Sequence, residues 1–169
     1  AALQQQPNHS LAWERARRIL VTASDFDNLV THIEQRIEVT AGVEQAALHV
    51  TRARVLALTS EGISEARSSY ELALQQLQDD PVVTREYATL LRHVSDRESL
   101  PSLYLNAAEN VDDQGMSAAM LIEACESLQD AGQAEDTALA ADAVVRALGR
   151  DPGNAFAVRH LERLLLDAE

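Results

Sequence analysis

The chain has 169 residues, enough for one domain with a sizeable core, and its 46% hydrophobic and 24% charged residues are ordinary for a globular protein. A net charge of −13 disfavours nucleic-acid phosphates and anionic membrane surfaces as targets, and no apolar run approaches the ~20 residues of a membrane-spanning helix. The single cysteine, Cys125, excludes an internal disulfide and leaves the compartment open, cytoplasmic or periplasmic.

Aromatic residues are only 4%, alanine and leucine dominate, and no run alternates with the period of a strand, so the elements are expected to be helices. In chain order, Ala2-Leu3 and Pro7-Asn8 read as the tail of a preceding repeat, and no signal peptide is visible. Trp13, Ala16, Ile19, Leu20 and Ala23 form a first helical stripe, and Phe26, Leu29, Val30, Ile33 and Ile37 a second. Ala46, Val50, Ala53 and Ala57 follow, then the more regular Ile63, Ala66, Tyr70, Ala73, Leu74 and Leu77. Val83, Tyr87, Leu90, Leu91 and Val94 make the fifth stripe, and Leu100, Leu103, Tyr104 and Ala107 the sixth. Ala118, Ile122, Cys125 and Leu128 precede a turn at Gly132-Gln133. Ala138, Ala141, Val144, Val145 and Leu148 are next, and Ala157, Leu161, Leu164 and Leu165 come last. About nine helices are predicted.

The junctions between them repeat. Pro7, Pro81 and Pro152 stand 74 and 71 residues apart, and Ser24-Asp25-Phe26-Asp27 recurs 71 residues later as Ser95-Asp96-Arg97-Glu98. Ser24 and Ser95 read as caps of the helices that follow, with Asp27 and Glu98 in the first turn, and Asp80-Pro81 and Asp151-Pro152 as a cap before a proline at the first helical position. One unit then holds four helices, or two hairpins. The expected division is a tail at 1–8, four-helix units at 9–80 and 81–151, and the start of another unit or a capping helix at 152–169. Hairpins of this size bury their apolar faces only by stacking on their neighbours.

Ala140, Val144, Ala147 and Pro152 have the spacing of the small, aromatic, small and proline positions in the second helix of a tetratricopeptide repeat, with Val144 in the aromatic place. Ala66, Tyr70 and Ala73 match the same series, with Pro81 three residues late. The chain thus resembles divergent bacterial tetratricopeptide repeats. The first-helix signature is poorly kept: Trp13 fits its aromatic position, and no Leu-Gly pair follows. The resemblance implies an all-α, right-handed α-solenoid of stacked antiparallel hairpins. It also implies a non-enzymatic scaffold, part of a longer protein, whose first helices line a concave groove for a peptide or protein.

The first helices are expected near 10–23, 43–58, 82–94, 115–130 and 154–167. All 14 basic residues are arginine, a pattern of GC-rich coding or of salt adaptation, and nine of them fall on these helices, whereas most acids fall on second helices and turns. Arg15, Arg18, His49, Arg52, Arg85, Arg92, Arg159 and Arg163 are therefore the candidate partner-binding residues. Guanidinium forks suit carboxylates, so an acidic peptide or chain terminus fits. On this reading, reversing Arg52, Arg85 and Arg92 weakens binding without unfolding the chain. The bland alternative is that the arginines are solvated or paired with nearby acids. A different function class, a regulatory segment that binds a small effector within a signalling protein, also suits such a solenoid, and an enzyme's accessory domain is a third.

Chemistry is sparse. His9, His32, His49, His93 and His160 form no metal-ligand spacing, and a metal at His93 and Asp96 is less natural than a helix-end histidine. No phosphate loop or nucleophile elbow occurs. Cys125 lies on an apolar stripe, where a free thiol behaves as a small hydrophobe. No catalytic residue, metal or cofactor is expected.

Overall fold

The computed structural model describes residues 10–131 and 134–166. The expected repeat tail at Ala2 and Pro7, the turn at Gly132-Gln133 and residue 167 lie outside them. The described residues form nine helices and no strand: α1 Ser10–Thr22, α2 Phe26–Ile37, α3 Gly42–Leu56, α4 Ile63–Leu74, α5 Pro81–His93, α6 Ser99–Asn110, α7 Gln114–Ala131, α8 Ala134–Arg150 and α9 Ala155–Leu166. They fall into two compact units, one running as far as Leu77 and one beginning at Gln78.

Within each unit, packing follows chain order. In the first, α1 packs on α2, α2 on α3 and α3 on α4, most densely in the last pair; in the second, the α6–α7 and α7–α8 pairs are dense and the α5–α6 pair is sparse. The residues explain this. Ala46 and Ala53 on α3, and Ala66 and Ala73 on α4, are buried with Tyr70, so small side chains let the backbones approach. Ala140, Val144 and Ala147, which carry the repeat-like spacing on α8, have no solvent exposure at all. The core of the first unit includes Leu29, Ile33 and Leu48, with Trp13, Leu20, Phe26, Ile37 and Val55 packed against them. In the second, Leu91, Tyr104, Met120, Leu121 and Val144 are among the largest fully buried side chains.

The apolar stripes run wider than the buried faces. Ile19, Val145 and Leu165 are exposed although helical spacing places them in the core, and so are Ala23, Ala57 and Ala138. Adjacent residues lie ~100° apart around a helix, so Leu20 and Ile19 cannot both face α2, and Leu20 does.

Two junctions also differ from expectation. Ser24 (φ 54°) and Ser95 (φ 60°) are left-handed. The N–H groups of Ser24 and Asp25 donate to the carbonyls of Val21 and Leu20 at 3.1 and 3.0 Å; those of Ser95 and Asp96 donate to Arg92 and Leu91 at 3.1 and 2.9 Å. Each serine therefore closes the helix before it, in a Schellman arrangement, and does not open the one after. The following aspartate caps instead: Asp25 Oδ1 accepts from the Asn28 N–H at 3.4 Å, and Asp96 Oδ1 from the Ser99 N–H at 3.2 Å. Glu98 makes no side-chain cap bond, so no capping box forms there.

Asp80 caps α5 as expected, accepting from the Val82 and Val83 N–H groups at 2.9 and 3.1 Å, with Pro81 in the first turn. Asp151 does not cap α9. Its carbonyl accepts from the Asn154 N–H at 3.1 Å, which leaves Pro152-Gly153 inside a turn. Asn154 is the cap, accepting from Phe156 and Ala157 at 3.1 and 3.2 Å. Proline is equally at home at the second residue of such a turn.

Gly62, just before α4, is buried. A Cβ there would sit 2.5 Å from the Leu56 carbonyl oxygen and 2.8 Å from Thr59 Oγ1. The carbonyl belongs to backbone and cannot rotate away. Gly62→Ala is expected to destabilise the first unit by about 1–3 kcal/mol through overpacking, read as an earlier urea midpoint of Trp13 fluorescence.

Candidate functional site

The candidate residues of the first unit fall into two groups. Arg15 and Arg18 lie one turn apart on α1, exposed, and form no ion pair with a described residue. Arg17 is engaged: its Nη2 meets Glu14 at 3.0 Å and its guanidinium stands 5.8 Å from the Trp13 ring centroid. Trp13 in turn stacks on His32 at 5.5 Å, and His32 Nε2 bonds the Trp13 carbonyl at 3.1 Å, so α1 is pinned to α2 through this side.

Arg52 on α3 faces inward. Its Nε and Nη2 donate to Glu34 Oε1 on α2 at 2.9 and 2.7 Å, Nη2 also to Glu65 Oε2 on α4 at 2.9 Å, and Nη1 to the buried Ser69 Oγ at 2.6 Å. With its side chain only 16% exposed, this arginine ties three helices together and presents no fork to a partner. The expectation that reversing Arg52 leaves the fold intact is therefore corrected. His49, one turn earlier, is half-buried. Burial, and then the Arg52 charge, hold its imidazole below the ordinary histidine range. Its Nδ1 is buried without a hydrogen-bond partner among the described residues.

In the second unit the candidate arginines reach toward α7. Arg85 Nη2 on α5 approaches Met116 Sδ at 3.7 Å, and Arg92 Nη2 meets Glu123 Oε2 at 2.9 Å while its guanidinium covers the Tyr104 ring at 5.7 Å. From α9, His160 Nε2 meets Glu126 Oε1 at 3.1 Å and Arg163 Nη2 donates to Gln129 Oε1. Side chains of α7 thus engage both α5 and α9, and Arg92 is paired with a neighbouring acid. Arg159 is exposed and, like Arg85, forms no ion pair with a described residue. Sequence reasoning missed His160, Glu126 and Gln129. Their i and i+34 separation, shared by both contacts, is the signal that could have found them.

The Tyr104 hydroxyl is raised above its ordinary range by burial and the Glu123 charge, against an opposing pull from Arg92. Cys125 is buried and its thiol is pushed up to about 11, chiefly by burial; it stays protonated at neutral pH and makes a poor nucleophile. The described residues contain no cluster able to hold a metal ion, and no helix among them is long and apolar enough to cross a membrane.

No family model matches the chain, and no curated protein matches it in sequence. Among solved structures, it is similar to the one titled MamA MSR-1 C2, a tetratricopeptide-repeat protein, with a TM-score of 0.52 over 94% of this chain and 86% of that one, at 13% identity. A likeness at that identity shows the fold alone, an all-α arrangement of helical repeats similar to that protein's.

Proposed function

We propose that this helical-repeat chain is a non-enzymatic interaction scaffold, a stretch of a longer repeat protein. It holds an acidic segment of a partner protein on arginines of its first helices. Fold alone does not assign a function. The observation that carries the reading is that Arg15, Arg18, Arg85 and Arg159 are exposed and form no ion pair with a described residue, in a chain of net charge −13. Where acids outnumber bases almost two to one, 27 to 14, an arginine left uncompensated is a place where an external carboxylate meets no internal competitor.

The test uses a peptide array carrying Asp/Glu-rich, neutral and Arg-rich peptides, with and without free C-termini. Acidic peptides are expected to be retained at low salt and released as ionic strength rises. The combined Arg15→Glu, Arg18→Glu, Arg85→Glu and Arg159→Glu protein should lose that retention with its far-UV circular dichroism unchanged. Retention indifferent to peptide charge would sink the proposal.

A further inference from the structure

The chain carries two methionines and one cysteine, and all three sulfurs lie on α7, at Met116, Met120 and Cys125. Met120 and Cys125 have no exposed surface. The Cys125 thiol also stays protonated at neutral pH, so it offers an oxidant no thiolate. Met116 differs from both. It sits in the first turn of α7 and is only partly buried, so it is the sulfur that a dissolved oxidant reaches. Arg85 Nη2 of α5 stands 3.7 Å from Met116 Sδ, and Arg85 is exposed and forms no ion pair with a described residue. A thioether is a weak acceptor, so a strong donor here rests on a poor partner. Asp113, close by in sequence, caps α7 instead: its Oδ1 accepts from the Met116 N–H at 2.7 Å.

From this pairing we propose that Met116 is a peroxide-oxidation site and that Arg85 captures the sulfoxide formed there. The substrate class is a small hydroperoxide, of which hydrogen peroxide is the simplest. The Sδ lone pair attacks one peroxide oxygen; an S–O bond forms and the O–O bond breaks. Sulfur is oxidised by two electrons, the peroxide is reduced, and its second oxygen leaves as water with both peroxide hydrogens. The product replaces a weak acceptor with a strongly polar oxygen. In a partly buried place that oxygen needs a donor, and the Arg85 guanidinium already lies beside the sulfur. Oxidation thus exchanges a loose contact for a firm one and ties α5 to the start of α7. The capture goes beyond the scaffold reading, and its consequence rests on that reading. Arg85 is one of the arginines offered to an acidic segment, and capture turns its donors inward. Peroxide then weakens the hold on an acidic partner, and reduction of the sulfoxide restores it.

The experiment treats the whole protein with hydrogen peroxide and reads three quantities. Peptide mass mapping should place the added oxygen on Met116 at least about tenfold faster than on Met120, as exposure dictates. In proton–nitrogen NMR spectra, the assigned Arg85 Nε–H signal should shift and exchange more slowly with water as Met116 is oxidised. It should return when a methionine sulfoxide reductase and dithiothreitol are added. Affinity for the acidic peptides that the untreated protein retains should fall about threefold, the scale of one hydrogen-bonded contact. In the Met116→Leu protein, peroxide should change neither the signal nor the affinity. Should that variant not fold, reversal by the reductase carries the same test. Equal oxidation of Met116 and Met120, or Met116 oxidised with the Arg85 signal unmoved, overturns the capture, and so does a peroxide-induced shift that persists in Met116→Leu. A moved signal with unchanged affinity overturns the regulatory consequence and leaves the capture standing. Retention of no acidic peptide before or after peroxide overturns the scaffold reading, while the Arg85 signal still decides the capture.

Discussion

Tyr104→Ala is expected to cost the second unit about 3–5 kcal/mol, the range for deleting a buried large aromatic side chain. Tyr104 has no exposed surface, and its ring lies under the Arg92 guanidinium, which is itself tied to Glu123. Alanine removes the ring from the core and the surface on which Arg92 rests. Tyr104→Phe is the control. It keeps the ring and the cation–π contact and loses only the hydroxyl, so it should cost about 1 kcal/mol. Urea titrations followed by circular dichroism measure both. Equal losses from Phe and Ala would mean that the hydroxyl, and not the ring, holds the site.

The second large effect belongs to Arg52→Ala. The substitution removes bridges to Glu34 and Glu65, a hydrogen bond to Ser69 and the stem of a side chain that is only 16% exposed. Both carboxylates remain substantially exposed and can return to water. The expected cost is therefore about 2 kcal/mol, below the roughly 3–5 kcal/mol of a fully buried pair. Ser69 stays satisfied, because its hydroxyl donates to the Glu65 carbonyl at 2.8 Å.

The same variant reports on His49. Its folded-state pKa is depressed, by burial first and by Arg52 second, from an ordinary value of 6.5. Below that value the unfolded chain takes up the proton more readily than the folded one. The stability that the neutral imidazole contributes is therefore present above pH 6.5 and is lost as pH falls through 6.5 toward the depressed value. Thermal melts of the parent protein should show midpoints that fall over this window, before most carboxylates titrate. His49→Gln should flatten that part of the profile. Arg52→Ala should raise the His49 pKa, measured by NMR titration, without restoring it fully, because burial remains. A His49 pKa unmoved by Arg52→Ala would contradict the assigned cause.

How far the sequence could be read depends on what decides each feature. The helices were legible because a 3.6-residue period and the scarcity of glycine and proline are local properties. The expected first helices near 10–23, 43–58, 82–94, 115–130 and 154–167 differ from α1, α3, α5, α7 and α9 by only a few residues at either end. The recurrence of Ser24-Asp25 at Ser95-Asp96 was also legible, and both copies take the same backbone form. Their role was not. A serine and an aspartate next to one another are both good caps, and only the left-handed φ of the serine assigns one to the helix before and the other to the helix after. Asp151-Pro152 failed for the same reason: the sequence shows a cap-and-proline pair, while the backbone makes it a turn and hands the cap to Asn154.

The candidate arginines divide along the same line. By itself, the sequence determined that this protein is helical and repetitive and that nine of its arginines crowd onto first helices, because charge and period are written residue by residue. Only the tertiary structure decided which of those charges are used internally. Arg52 and Arg92 meet Glu34, Glu65 and Glu123 across gaps of 13 to 31 residues, and such partners exist only once helices pack side by side. Arg15 and Arg18 differ from them in nothing that composition records. They remain uncompensated because α1 turns Trp13 and Leu20 toward its unit, so Leu11, Arg15, Arg18 and Ile19 are left on the other side.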